Sequence, residues 1–442
     1  MHFLTLAAAV FGVTSLQPPA VPSAPEPPID WKAAEAPTLT KHVQLTFPDK
    51  FVKAGEAYFD HQQPPQWIIF QAIPVPAAGQ AVDANYSMYV AKLKRDSSGA
   101  VTGLDEPILV SPPGSANTCG WFHPTAPGVL VFGSTLTPPK ATDSPGYSKD
   151  KQRYSWQFPT EMEIVARVLP QVAGAEDYES LKQRVYSALL PMKDLSGIDA
   201  KAIAQSNLGS PSMEHGASPM QSAYDKVDQL LKSVRPAFRR PGYDAEGSFS
   251  SDGRFYLYTH VDPTNNDPNL WVFDTKAGKQ YPIVSTKGYD GGPFFSPDGK
   301  WICFRSDRRG DNNLQLFAGE LAFGDDGDAA VPIGLAREIQ LTDDKDIVNW
   351  CPFWHPSGKF LVYASSAVSH GNYEVFAIEF DPAKKPADLK RTRITSATGF
   401  DGLPVFSDDG KLMMWTSQRG AKLEREQRPS SQLWIADWKT PQ

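Results

Sequence analysis

One block of sequence recurs, and a chain that copies a supersecondary unit can fold in few ways. GYDAEGSFSSDGRFYLYTH, GYDGGPFFSPDGKWICFRS, NWCPFWHPSGKFLVYASS and GFDGLPVFSDDGKLMMWTS each set an apolar run before a four-residue turn and a second apolar run after it. The best-formed copy extends from Gly288 to Phe317. In its turn Pro297 presets φ and Gly299 supplies a positive φ, so the two runs read as a β-hairpin.

Aligned on the aromatic four residues before the turn glycine, the copies give Phe249, Phe295, Trp354 and Phe406, and a looser match adds Phe59 and Phe122. A short β-branched and aromatic run follows each turn: Trp67 to Ala72, Val129 to Ser134, Phe255 to His260, Trp301 to Ser306, Phe360 to Ser365 and Leu412 to Ser417. Such runs suit strands buried on both faces. A third run follows in every unit, from SMYVAKL to QLWIADW, and a fourth in several, such as PILVS and TRITS. Six units of four short strands predict an all-β six-bladed propeller. The last unit holds three strands of its own, so the isolated strand at His42 to Thr46 is expected to close the ring as its outer strand.

The propeller is expected over residues 40–440. The second unit is followed by a stretch, about 174–234, with helical spacing at Tyr178, Leu181, Val185 and Leu189 and again at Tyr224, Val227, Leu231 and Val234. Ser218 with Gln221 reads as a capping box there, with Pro236 as the stop, giving a helical insertion after blade 2. Residues 18–39 are Pro- and Ala-rich and read as a linker. The apolar run within residues 1–17 is too short to span a bilayer and reads as a secretory signal, which implies a periplasmic or secreted protein.

The formal charge of −7 is spread along the chain without blocks of one sign, which argues against a nucleic-acid partner. Cys119, Cys303 and Cys351 have no C-x-x-C spacing and read as buried thiols.

FSPDGKWICFRSDRRGDNNLQLF resembles the repeat of TolB-type propellers, periplasmic proteins of six blades. The fourth unit matches nearly throughout. In the fifth, His355 and Ser357 replace the Ser and Asp of the turn, and in the sixth Gln418 replaces an Asp. The α/β domain that precedes the propeller in that family is not expected between Pro18 and His42. The repeat is also similar to the propeller of prolyl-oligopeptidase-like peptidases, whose G-x-S-x-G elbow this sequence lacks.

Nine residues before the turn glycine stand Asn117, Asp244, Asp290, Asn349 and Asp401, with Ala54 in the first unit. If the innermost strands start there, these side chains form a ring round the channel mouth. Such a ring could hold calcium, another divalent cation or an amine; capping of backbone amides by each Asp or Asn is the structural alternative. No other cofactor is expected. Asp307 is expected to fix the turn after the second strand. His61, His260 and His370 are the histidines considered for a funnel site, whereas His123 and His355 occupy turn positions in opposed blades. Glu56, Glu161 and Glu163 form no recognisable acid–base pair.

The expectation is a monomeric, extracytoplasmic, non-enzymatic scaffold whose funnel binds an envelope protein, a peptide or a polysaccharide. The alternative is a metal-dependent lyase or hydrolase acting on sugars or lactones at that funnel.

Overall fold

The computed structural model describes residues 29–140, 146–150, 153–157, 159–173, 233–238, 240–264, 267–325, 330–424 and 426–440. The signal at 1–17 lies outside them, as do the first half of the linker, 18–28, and nearly all of the insertion. Six antiparallel blades stand in a ring, and their inner strands touch one another in turn and close on themselves. These inner strands are Phe51–Phe59, Asn117–Phe122, Tyr243–Phe249, Asp290–Phe295, Asn349–Trp354 and Asp401–Phe406.

Each inner strand turns into a second strand, almost wholly buried except for the exposed residues 367–369 at the end of the fifth: Trp67–Pro74, Val129–Ser134, Phe255–Val261, Trp301–Ser306, Phe360–Ser369 and Leu412–Ser417. Continuous apolar runs form strands here because both faces of each blade meet a neighbouring blade. The hairpin turns define one face of the ring. In blade 4 the Ser296 hydroxyl donates to Asp298 (2.6 Å) and accepts the Trp301 amide (2.9 Å), while Gly299 sits at φ 68°. Ser250 with Asp252 and Ser407 with Asp409 repeat the arrangement. His355 stands in for the serine in blade 5, its Nδ1 facing the Ser357 amide at 3.1 Å, and His123 does so in blade 2 for Ala126 at the same distance.

The ring closes as the repeat count demands. Leu39–Gln44 pairs antiparallel with Gln432–Trp438 and becomes the outer strand of blade 6. The stretch read as a linker is ordered at its end: Trp31–Glu35 is a helical turn, capped by the Asp30 side chain on the Ala33 amide (3.2 Å), and Glu35 is fully buried. In blade 2 the outer strand is Arg235–Pro236, paired with Glu163–Val168. Pro236 therefore sits on an edge strand, where a missing N–H is harmless, and the helix it was expected to stop lies outside the described residues. The chain thus leaves blade 2 after its third strand and returns for its fourth. A small hairpin, Gly146–Asp150 with Arg153–Gln157, lies in sequence between the second and third strands of that blade and carries no repeat signal.

Candidate functional site

The functional geometry comes from one irregularity copied six times. In every blade the pairing of inner and second strand slips by one residue: between Gly55 and Ala57, Thr118 and Trp121, Ala245 and Ser248, Gly291 and Phe294, Trp350 and Phe353, and Gly402 and Val405. At each slip one residue takes a positive φ: Glu56 (42°), Cys119 (51°), Glu246 (56°), Gly292 (56°), Cys351 (46°) and Leu403 (54°). Five of the six are not glycine, so the conformation is held by the bulge and not by backbone freedom.

An extra residue in a strand swaps which face later side chains occupy. Before the bulge, Asn117, Asp244, Asp290, Asn349 and Asp401 point into their own blades and are almost fully buried. Each begins a polar row across the blade. Asp290, Ser306 and Gln315 are register partners, as are Asn349, Ser365 and Glu374, Asp401, Ser417 and Gln432, Asp244, His260 and Asn269, and Asn117, Ser134 and Glu163.

The partners are mostly side chains. Arg308 reaches Asp290 at 2.8 Å and Arg419 reaches Asp401 at 2.7 Å, each with its Nε on the serine of the row at 2.9 Å. In blade 3 the imidazole Nδ1 of His260 lies 2.7 Å from Asp244. Ser365 donates to Asn349 at 2.7 Å, and Asn117 donates to the Tyr86 carbonyl at 2.9 Å. Burial pushes the Asp244 and Asp401 carboxyls up, with His260 and Arg419 opposing. The structure thus holds each of these five residues within its own blade or, for Asn117 and Asn349, also against the blade before it. Among the described residues, no group of three or more His, Cys, Asp or Glu side chains converges as a metal site. Asp307 does fix its turn, accepting the Tyr289 amide at 2.7 Å. His370 faces the Asp346 carbonyl on an exposed loop.

Beyond the bulge the inner strands line the axis in two layers. The deeper layer is polar and stitches neighbouring blades together in pairs, 1 with 2, 3 with 4 and 5 with 6. Glu246 accepts from the Tyr289 hydroxyl (2.6 Å), the Gly292 amide (2.8 Å) and Thr259 (3.2 Å), and pairs with Arg305 at 3.2 Å. Glu56 accepts from Tyr58 (3.2 Å) and Thr118 (3.4 Å), and the Cys351 sulfur accepts the Leu403 amide (3.3 Å).

Arg305 belongs to the second strand of blade 4 and reaches the axis under the Gly291–Gly292 step. A β-carbon at Gly292 would collide with its guanidinium, so glycine is required there. Arg305 pairs with Glu246, and its charge also favours the ionised form of Glu56. Burial, with repulsion from Glu246, raises the Glu56 carboxyl above its ordinary range, while burial pushes the Cys351 thiol up to about 12. All three cysteines are buried free thiols, as expected.

The layer nearer the turn face is aromatic. Tyr58, Trp121, Phe294 and Phe353, from blades 1, 2, 4 and 5, meet on the axis with centroids 4.8–6.4 Å apart and plug the channel. The two remaining blades contribute the smaller Ser248 and Val405. Above this floor lies a blind depression of about 480 Å³, rimmed by His61, Gln63, Ser251, Pro297, Pro356 and Asp408. The neighbouring aromatics Phe59, Phe122, Phe249, Trp354 and Phe406 are buried blade core. Of the three candidate histidines, His61 alone lines the depression.

Simple alternation along the sequence reveals neither layer, because the bulge reverses side-chain direction part-way along each inner strand. A signal exists: the residue after the positive-φ position is Ala57, Gly120, Gly247, Pro293, Pro352 or Pro404. A run of Gly and Pro inside would-be strands marks a bulge.

Fold and axis together define a six-bladed β-propeller, closed by its N-terminal strand and plugged by aromatic rings. Its repeats are TolB-like. Over 173 residues, 39% of this chain and 36% of the relative, it is 28% identical to the Tol-Pal system protein TolB of Wolinella succinogenes. Over 166 residues, 34% of this chain and 50% of the relative, it is 27% identical to an uncharacterized protein of Agrobacterium fabrum. The matched regions thus span between a third and a half of these curated relatives. Among solved structures, TolB from Acinetobacter baumannii aligns over 85% of this chain and 64% of that one, at 15% identity and a TM-score of 0.45. No family model matches the sequence. Among the described residues no helix is long and apolar enough to cross a membrane.

Proposed function

We propose that this chain is an extracytoplasmic, TolB-like scaffold of the cell envelope that docks a protein segment in the turn-face depression and performs no chemistry on it. The aromatic floor carries the reading. A channel closed by four packed rings cannot pass a substrate, but a blind pocket of this size, with an apolar base and a rim of hydroxyl, amide and imidazole groups, suits the side chains of a docking segment. The W. succinogenes relative is named as a protein of the Tol-Pal system, which supports a protein partner in the envelope. The lyase or hydrolase alternative gains no support, because the acids it would place at the funnel are engaged inside separate blades.

Site-specific photo-cross-linking in cells of the source organism tests this. A cross-linker at Gln63, on the rim, is expected to capture a discrete envelope protein, and one at the exposed Phe323 of blade 4 is not. Ser251→Arg, a change at an exposed rim position, should cut the Gln63 product roughly tenfold, the equivalent of about 1.4 kcal/mol, without lowering the melting temperature. Identical capture from Phe323, or capture at Gln63 untouched by Ser251→Arg, would refute the docking site.

A further inference from the structure

The rim of the depression contains one contact that joins three consecutive blades. His61, in the turn of blade 1, has Nδ1 at 3.0 Å from Asp408 Oδ2 in the turn of blade 6 and Nε2 at 3.1 Å from the Phe122 carbonyl at the end of the inner strand of blade 2. A carboxylate oxygen and a carbonyl oxygen only accept. A neutral imidazole has one N–H and satisfies one of them, leaving a lone pair aimed at the other oxygen; the imidazolium satisfies both.

Asp408 owes its position to a departure in the repeat. The same turn position holds Pro297 in blade 4, Pro356 in blade 5 and Ser251 in blade 3, and blade 6 alone of these places a carboxylate beside the next blade. His61 also lies 5.9 Å, ring to ring, from Trp121 in the aromatic floor.

From these contacts we infer that His61 is a proton-operated clasp on the funnel rim. With two ring protons it ties blades 6, 1 and 2 together; with one, a tie opens and the rim loosens. The inference rests on the docking reading for its biological use but not for its existence.

Other titratable groups face the clasp. Asp408 supplies the oxygen that the Nδ1 proton meets. His123, from blade 2, is held down to about 4, by burial first and then by the charge of His61, so it stays neutral where the clasp closes. Asp60, beside His61 in its own turn, has its carboxyl raised to about 6 by burial while accepting the Gln66 amide at 2.8 Å. Protonating Asp60 loosens the same turn on acidification, which is the opposite sign. The test must therefore compare variants at each pH.

Asp408→Asn provides the comparison. An asparagine amide donates to Nδ1 of a neutral histidine, so this variant closes the clasp without the extra proton and leaves Asp60 as it was. Hydrogen exchange of the full chain, corrected for intrinsic rates, would follow peptides covering residues 59–67 and 405–412 between pH 5.5 and 8. In the wild type, protection relative to Asp408→Asn should rise roughly fivefold from pH 8 to pH 5.5, the factor carried by one net hydrogen bond. His61→Ala should be unprotected relative to Asp408→Asn throughout. A wild-type to Asp408→Asn ratio that does not change with pH would overturn the clasp. Because no ligand is added, that failure would leave the cross-linking result of the docking model intact and separately readable.

Discussion

His123 shows how a single residue carries both the repeat and a pH dependence. It replaces the turn serine, and its Nδ1 accepts the Thr125 and Ala126 amides at 3.3 and 3.1 Å, a task that needs a bare nitrogen. Burial lowers it to about 4, against about 6.5 for an unperturbed histidine. Between those values the unfolded chain binds a proton that the folded one refuses, so stability falls as pH falls through that window. Replacing His123 by the serine of the other turns should remove this loss. Chemical denaturation at pH 7 and pH 4 is expected to show a destabilisation on acidification about 3 kcal/mol smaller in His123→Ser than in the wild type. Arg305 is the second residue whose environment decides its cost. Arg305→Met strands Glu246 in the axis and should cost about 3–5 kcal/mol, whereas Arg305→Met with Glu246→Gln should recover most of that. Equal destabilisation in the single and double variants would show that the pair is not what holds the layer.

At the scale of elements, the closing strand and the turn before it act as one unit. Glu35 accepts two Arg419 N–H bonds at 2.8 and 3.1 Å and the Ser396 amide at 2.7 Å, and its Oε2 lies 2.8 Å from His42 Nε2. Burial pushes this carboxyl up, but His42 and Arg419 outweigh it and hold it below its ordinary value. The Arg419 guanidinium lies 4.4 Å from the Trp31 ring centroid and 4.9 Å from that of Trp415, and it also holds Asp401 of the inner strand. The helical turn is therefore a bolt through blade 6, reaching from outside the closing strand to the axis side. Removing residues through Gln44 would expose the edge of Gln432–Trp438 and leave Arg419 without Glu35. Such a truncation is expected to give concentration-dependent aggregation on gel filtration and a melting temperature lowered by at least roughly 5 °C. A monodisperse truncated protein with unchanged melting would mean that the closure contributes little.

Across the whole molecule, the repeats make the architecture legible from the chain alone. Six copies of an apolar hairpin leave a ring as the arrangement that buries both faces of every blade, and an isolated N-terminal strand can serve only where a strand is missing. Turn chemistry is equally local: Ser-Pro-Asp-Gly at 296–299 encodes its own hydrogen bonds, and the histidines at 123 and 355 sit where the serine would. Nothing in the same residues says which side chains meet on the axis. That depends on a one-residue slip inside each inner strand, which turns Asp290 into its blade and Phe294 into the channel although both lie on one face by simple alternation. It depends also on contacts between residues far apart in sequence, such as Glu35 with Arg419 and His61 with Asp408. By itself the sequence determined the blade, the number of blades and how the ring closes, because those follow from local periodicity and copying. Tertiary structure decided what the funnel is made of, because side-chain direction beyond a bulge and contacts across the ring exist only once the six blades are packed together.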